Sequence, residues 1–130
     1  MPFSPKVLIV EDDAIIIYML KACYEYLGCE VLGAVDSGEA SLEFLKNTSV
    51  DLISMDILLS TKMTGIDAMS VARDMDINTP VIFVSASNDY EEKTKTFSNS
   101  LFLRKPVGLD ELAATVQQFF PQTGGSTAAA

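Results

Sequence analysis

Histidine is missing from this 130-residue chain, which rules out Ser-His-Asp and Cys-His catalysis and any imidazole-ligated metal. A metal bound here must take oxygen ligands. Positive charge is scarce as well. Nine Lys and Arg stand against eighteen Asp and Glu, a net charge of -9 that repels phosphate backbones and argues against direct nucleic-acid binding. Cysteine is limited to Cys23 and Cys29, without the C-x-x-C spacing of a redox pair, so two small buried thiols in a reducing cytoplasm are expected. No apolar run approaches the length of a membrane span, and no basic region leads into a long apolar stretch near the N-terminus. A soluble protein, away from membranes, is the expectation.

What is present is a regular alternation. Val7-Val10 is a short strand-like run, then come Glu11, Asp12 and Asp13, then Ile16, Met19, Leu20, Cys23 and Leu27 at helical spacing up to Gly28. Further strands are predicted over Val31-Val35, Leu52-Met55, Val81-Val84 and Leu101-Leu103. The helical segments between them begin after Asp36-Ser37-Gly38, run from about Ile66 to Met75, cover the polar stretch Asp89-Ser98, and close the chain over Leu109-Phe120. Five strand-helix units with strands this apolar predict an α/β fold, a doubly wound parallel sheet of order 2-1-3-4-5 with helices on both faces. Residues 1-120 form the predicted domain, and 121-130, rich in Gly, Ser, Thr and Ala, a disordered tail or expression remnant.

Polar residues sit just past the strand ends: Glu11-Asp12 after the first, Asp56 after the third, Ser85 after the fourth, Lys105-Pro106 after the fifth. A parallel sheet gathers these ends along one edge, and the reversal of winding opens a crevice between strands one and three. Two carboxylates about 5 Å apart repel by roughly 3 kcal/mol at an effective dielectric near 20. Three in one crevice therefore call for a divalent cation, and a donor set of carboxylates, carbonyls and water suits Mg²⁺ or Mn²⁺, with Lys105 balancing charge from the other side. Each acid also has a plainer explanation: Asp12 or Asp13 as the cap of the first helix, Asp56 as the start of a turn, Ser87 or Asn88 as the cap of the fourth helix, and Phe102 as core packing. Those explanations leave unexplained why Asp56 ends an apolar strand and why a lysine-proline pair ends the last one. No G-x-G-x-x-G or G-x-x-x-x-G-K-[ST] is present, which argues against dinucleotide and P-loop sites.

Four segments in this order, VLIVEDD (Val7 to Asp13), SMDILL (Ser54 to Leu59), VSAS (Val84 to Ser87) and FLRKP (Phe102 to Pro106), resemble the receiver domain of two-component response regulators, of the chemotaxis-regulator type and flavodoxin-like fold. The resemblance runs from about Lys6 to Phe120. It implies that Asp56 accepts a phosphoryl group, that Asp12, Asp56 and the backbone carbonyl of Leu58 ligate Mg²⁺, and that Glu11 acts mainly through a metal-bound water. It further implies that Lys105 pairs with one phosphoryl oxygen, that Ser85 hydrogen-bonds another, and that Phe102 turns inward as Ser85 shifts. The phosphohistidine donor must then be another protein, a sensor histidine kinase or a histidine phosphotransfer protein. The face of the fourth helix, fifth strand and fifth helix would serve a homodimer or an effector. Such a chain is a signalling module with only slow self-dephosphorylation, not an enzyme.

The chain also departs from the family's commonest pattern. Asp13 makes the acid pair ambiguous by one position, the loop from Leu59 to Gly65 is long, and Asn99-Ser100 stands where a Gly-Ala pair is frequent. The alternatives are a receiver-like interaction domain without phosphotransfer and a Mg²⁺-dependent aspartyl-phosphate phosphatase. The latter would want a general-acid Asp where Leu58 stands.

Overall fold

The computed structural model describes residues 3–123. In chain order these form β1 (Lys6–Val10), α1 (Ala14–Tyr26), β2 (Glu30–Val35), α2 (Gly38–Asn47), β3 (Leu52–Asp56), α3 (Gly65–Asp74), β4 (Val81–Ser85), α4 (Glu91–Thr94), β5 (Ser100–Arg104) and α5 (Leu109–Phe119), with 3₁₀ turns at Asn88–Tyr90 and Pro121–Thr123. All five strands are parallel, in the order β2-β1-β3-β4-β5. This is the predicted flavodoxin-like sheet, and its winding reverses between β1 and β3. None of the described helices is long and apolar enough to cross a membrane. The tail expected over 121-130 lies mostly outside the described residues, beyond the short turn that its first three residues make.

Local chemistry sets the helix ends. Asp13 caps α1, its carboxylate accepting from the amides of Ile15 and Ile16, and Ser37 caps α2 through the Ala40 amide. Thr64 and Asp67 form a reciprocal capping box at the start of α3. The end of α1 turns on Gly28, whose φ of 90° lets its amide reach Glu25 O and the Cys29 amide reach Tyr24 O. Asn99 adopts φ 53°, so the residue standing where glycine is frequent takes the left-handed conformation glycine would supply.

Strand parity divides the core into two layers. Val7, Ile9, Leu52, Ile82 and Val84 pack with Leu20, Tyr24 and Leu27 of α1 and Leu112 and Val116 of α5. Leu8, Val10, Ile53, Met55 and Phe83 pack on the other side with Ala68, Met69 and Ala72 of α3 and with α2. At the edge opposite the crevice, Arg73 ties α3 to its neighbours: Nη1 donates to Ile77 O and Thr79 O, and Nη2 to Ser98 O.

Three expectations are corrected. The helix expected over Asp89-Ser98 is one turn of α4 after a 3₁₀ turn, because Thr94, Thr96 and Ser100 bond back to carbonyls that a longer helix would use. Met19 does not face the core; it is exposed, and Tyr24 takes the inward place four residues beyond Leu20. The outer strands β2 and β5 are only half-buried, since each has a neighbour on one side only.

Gly65 begins α3 against the strand that ends in Asp56, and a Cβ there would run into the Asp56 carbonyl oxygen and lie 2.7 Å from the Met55 side chain. Alanine in a helix is normally worth about 1 kcal/mol over glycine. Here the close approach reverses the sign, and Gly65→Ala is expected to lower unfolding free energy by roughly 2 kcal/mol in a urea titration.

Candidate functional site

The parity that builds the core also selects the site. Continuing Val7 and Ile9 leads to Glu11, continuing Leu52 and Ser54 leads to Asp56, and Leu103 leads to Lys105, so these three side chains emerge on the α1/α5 side of the sheet. Sheet hydrogen bonding extends past the strand ends and fixes their height: the Glu11 amide donates to Val35 O at 2.9 Å, Ile57 to Val84 O at 3.0 Å, and Lys105 to Ser85 O at 2.9 Å. Asp56 itself is the last residue of β3, paired with Val84.

Glu11, Asp12 and Asp56 each bring a carboxylate oxygen within 4.8 Å of the others. Lys105 Nζ lies 3.0 Å from Glu11 Oε1 and 3.3 Å from Asp56 Oδ2. Glu11 retains only 2 % of its accessible surface and Asp56 5 %, while Asp12 is exposed. Asp13 is spoken for as the α1 cap, and its amide donates to Glu11 Oε2 at 3.2 Å. The ambiguity of the triple acid is thereby resolved geometrically: Glu11 and Asp12 enter the cluster and Asp13 leaves it.

Burial has a direct electrostatic consequence. Desolvation first, and the Glu11 carboxylate second, push the Asp56 carboxyl up from 3.8 to about 6, against the opposing pull of Lys105. Burial of Lys105 works to lower its own pKa, but Glu11 and Asp56 outweigh it and raise it. Three acids with one lysine and no histidine are a hard oxygen-donor set, so the residues present fit a small divalent cation.

The remaining expected residues are near the cluster but not joined to it. Ser85 is buried at the end of β4, with its Oγ accepting from the Ser87 amide at 3.2 Å. Its parity is that of Val81 and Phe83, facing α3, and among the described residues no hydrogen bond links it to Asp56. Phe102 is half-buried against the same layer, with Phe83, Tyr90 and Phe97. The Leu58 side chain is exposed, as suits a position where only the carbonyl is invoked. Sequence reasoning missed Gly65 and Thr64, although Thr-x-x-Asp before an apolar helix is a readable capping signal. Arg73 carried no signal, because its partners are backbone carbonyls, two in the loop that follows α3 and one at Ser98.

The chain matches the family described as the response regulator receiver domain over residues 7–117. It is 30% identical over 122 residues to the cell cycle transcriptional regulator CtrA of Caulobacter vibrioides, covering 92% of this chain and 52% of that protein. It is 33% identical over 118 residues to the transcriptional regulatory protein CrdR of Helicobacter pylori, covering 88% and 54%. The chain thus spans about half the length of these curated relatives. Among solved structures, the Francisella response regulator 1452 receiver domain superposes with a TM-score of 0.78 at 31% identity, over 92% of this chain and 99% of that one. The CheX-CheY-BeF3-Mg+2 complex from Borrelia burgdorferi matches with a TM-score of 0.80 at 27% identity, over 88% of each chain. Matched by the family over residues 7–117 and sharing its 2-1-3-4-5 parallel sheet, the chain belongs to the receiver domain family of two-component response regulators.

Proposed function

We propose that this receiver domain is a phosphoacceptor switch, in which Asp56 takes a phosphoryl group from a phosphohistidine on a sensor histidine kinase or histidine phosphotransfer protein. The observation that carries the reading is the convergence of two further carboxylates and one lysine on Asp56, at the end of an otherwise apolar buried strand. An ionised Asp56 oxygen forms the bond to phosphorus as the P–N bond of the donor breaks. The electron pair returns to the imidazole nitrogen, which takes up a proton from water. Asp12, Asp56 and the Leu58 carbonyl would hold Mg²⁺ or Mn²⁺, with Glu11 acting through an intervening water. Bound there, the ion supplies positive charge beside the transferring oxygens. Lys105, already between Glu11 and Asp56, pairs with a phosphoryl oxygen once Asp56 is modified. Ser85 accepts from the Ser87 amide and keeps its hydroxyl proton for another phosphoryl oxygen.

Such transfer needs positioning and neutralised charge more than acid-base groups, which agrees with a chain that has no histidine. Drawing Ser85 and Lys105 toward the phosphoryl group would vacate space into which Phe102 turns, changing the face of α4, β5 and α5 for an effector or a second copy. The unpaired thiols of Cys23 and Cys29 suit a reducing cytoplasm, and the charge of -9 argues against direct contact with nucleic acid.

Three outcomes are expected. With acetyl phosphate and Mg²⁺, mass spectrometry should find one phosphoryl group on Asp56. Labelling of Asp56→Asn at the wild-type level, or of Asp12 alone, would refute the assignment.

The second concerns pH. The folded Asp56 pKa, about 6, lies above its ordinary 3.8, so the native state binds the extra proton between those values. In metal-free protein this contribution to stability is therefore present at pH 4 and lost as pH rises through 6, on the order of 2–3 kcal/mol. Asp56→Asn should flatten that part of the profile and melt higher than wild type at pH 7 without metal. A wild-type profile that rises steadily from pH 4 to 7, or a variant with the same slope, would contradict it.

Third, Mg²⁺ should raise the wild-type melting temperature by mass action and affect Asp12→Asn far less. Equal responses would mean that the acids do not hold the ion.

A further inference from the structure

We infer that the hollow at the edge of the sheet away from Asp56 binds an alkyl cation, a guanidinium or ammonium group carried on a short apolar stem. There the loops leading from α2 into β3 and from α3 into β4 border a cavity of about 250 Å³. Thr48 and Asp76 line it just past the last residues of α2 (Asn47) and α3 (Asp74), so the negative ends of two helix dipoles stand beside a carboxylate. Ser49, Asn78 and Thr79 add further oxygen acceptors, and no basic side chain is part of the lining. The basic residues nearest in sequence do not serve this carboxylate. Arg73 is engaged with the carbonyls of Ile77, Thr79 and Ser98, and Lys46 is exposed without an ion pair among the described residues.

An exposed acid without a partner is ordinary, and on that ground alone Asp76 would carry no weight. Its backbone sets it apart. Asp76 adopts φ 62° after the end of α3, the left-handed place where glycine fits without strain. Aspartate and asparagine tolerate that conformation when their side chains find hydrogen bonds. Asn99, the other described non-glycine residue in that region, puts its amide to use, donating to Asn78 O at 3.2 Å. The Asp76 carboxylate has no hydrogen bond or ion pair with any described residue. A side chain that the fold does not use, at a backbone position that disfavours it, points to a ligand as the missing partner.

The lining decides the chemistry. A single carboxylate among neutral oxygens is a poor site for a divalent ion, which draws on more charge, and the described residues hold no group of three acids here. Anions are repelled by the same carboxylate and by the net charge of -9. A cation with several N–H donors matches the acceptors, and its methylenes find apolar surface on Leu45, Val50 and Ile77. An arginine or lysine side chain of a partner and a free polyamine share this chemistry.

The test is an NMR titration of the whole chain, followed at each backbone amide, with agmatine as the free cation, N-acetyl-arginine methylamide as the side chain and N-butylurea as a neutral control of similar shape. Residue-level detection separates this site from binding at the acids around Asp56, so the outcome does not depend on the phosphoacceptor reading. Amides of Thr48, Ser49 and Asp76 to Thr79 should shift and saturate with a dissociation constant on the order of 1 mM, and butylurea should bind at least about tenfold more weakly. Saturation by the blocked arginine identifies a partner's side chain as the source, and saturation by agmatine alone a free polyamine. Asp76→Gly separates ligand from fold: it relieves the left-handed backbone and should melt a few degrees higher than wild type, yet lose the saturable shifts. Asp76→Asn should weaken binding about tenfold or more. No saturable shifts, equal binding of butylurea, an Asp76→Gly variant that still binds, or one that melts lower than wild type would each overturn the proposal.

Discussion

Like charge held together without water is the constraint around which this molecule is organised. Glu11 and Asp56 are almost completely removed from solvent, with Asp12 alongside and one ammonium, Lys105, within 3.3 Å of the two buried acids. One cation cannot neutralise three carboxylates, and burial first, with Glu11 second, holds the Asp56 carboxyl above its ordinary range despite Lys105. The backbone around the cluster is correspondingly over-determined. Ladder bonds continue past the ends of the strands, Asp13 pins the start of α1, and Gly65 allows α3 to begin against the Asp56 carbonyl. A site with an electrostatic deficit holds its geometry only where the surrounding fold leaves it no cheaper alternative.

The rest of the domain is unevenly secured. The opposite edge of the sheet is clamped by Arg73, whose guanidinium serves two carbonyls of the loop before β4 and one before β5. The segment after Ser85 has far less to hold it: a 3₁₀ turn, one turn of helix, and hydroxyl groups that occupy carbonyls a longer helix would use. Short helices without a capped, extended hydrogen-bond ladder are marginal, and local opening concentrates in such places. The weakly held stretch therefore lies directly downstream of the strand that carries Ser85, and its aromatic residues Tyr90 and Phe97 pack against the layer that holds Phe102.

Family membership rests on the match to the receiver domain over residues 7–117, with identity to individual relatives near 30%. The cluster depends on a few strand-end positions, whereas surface identity is unconstrained by it. Membership of the receiver family therefore specifies the module, while the exposed surface around it is not fixed by the cluster.

By itself the sequence determined the alternation of strands and helices, the five-strand sheet and the identity of Glu11, Asp12, Asp56 and Lys105 as the residues at its edge, because periodicity and chain order encode these locally. It also carried cap candidates, Asp12 or Asp13 for the first helix and Ser87 or Asn88 for the fourth, whose signals span three or four residues. Only the tertiary structure decided which of three consecutive acids is a cap and which belong to the cluster, since that depends on where β1 ends relative to β3. Tertiary contacts likewise decided that Tyr24 rather than Met19 faces the core, that Gly65 must be small and that Arg73 reaches across to Ser98 O. Each of these is settled by an atom far away in sequence, and a local pattern holds no information about a neighbour that folding alone brings near.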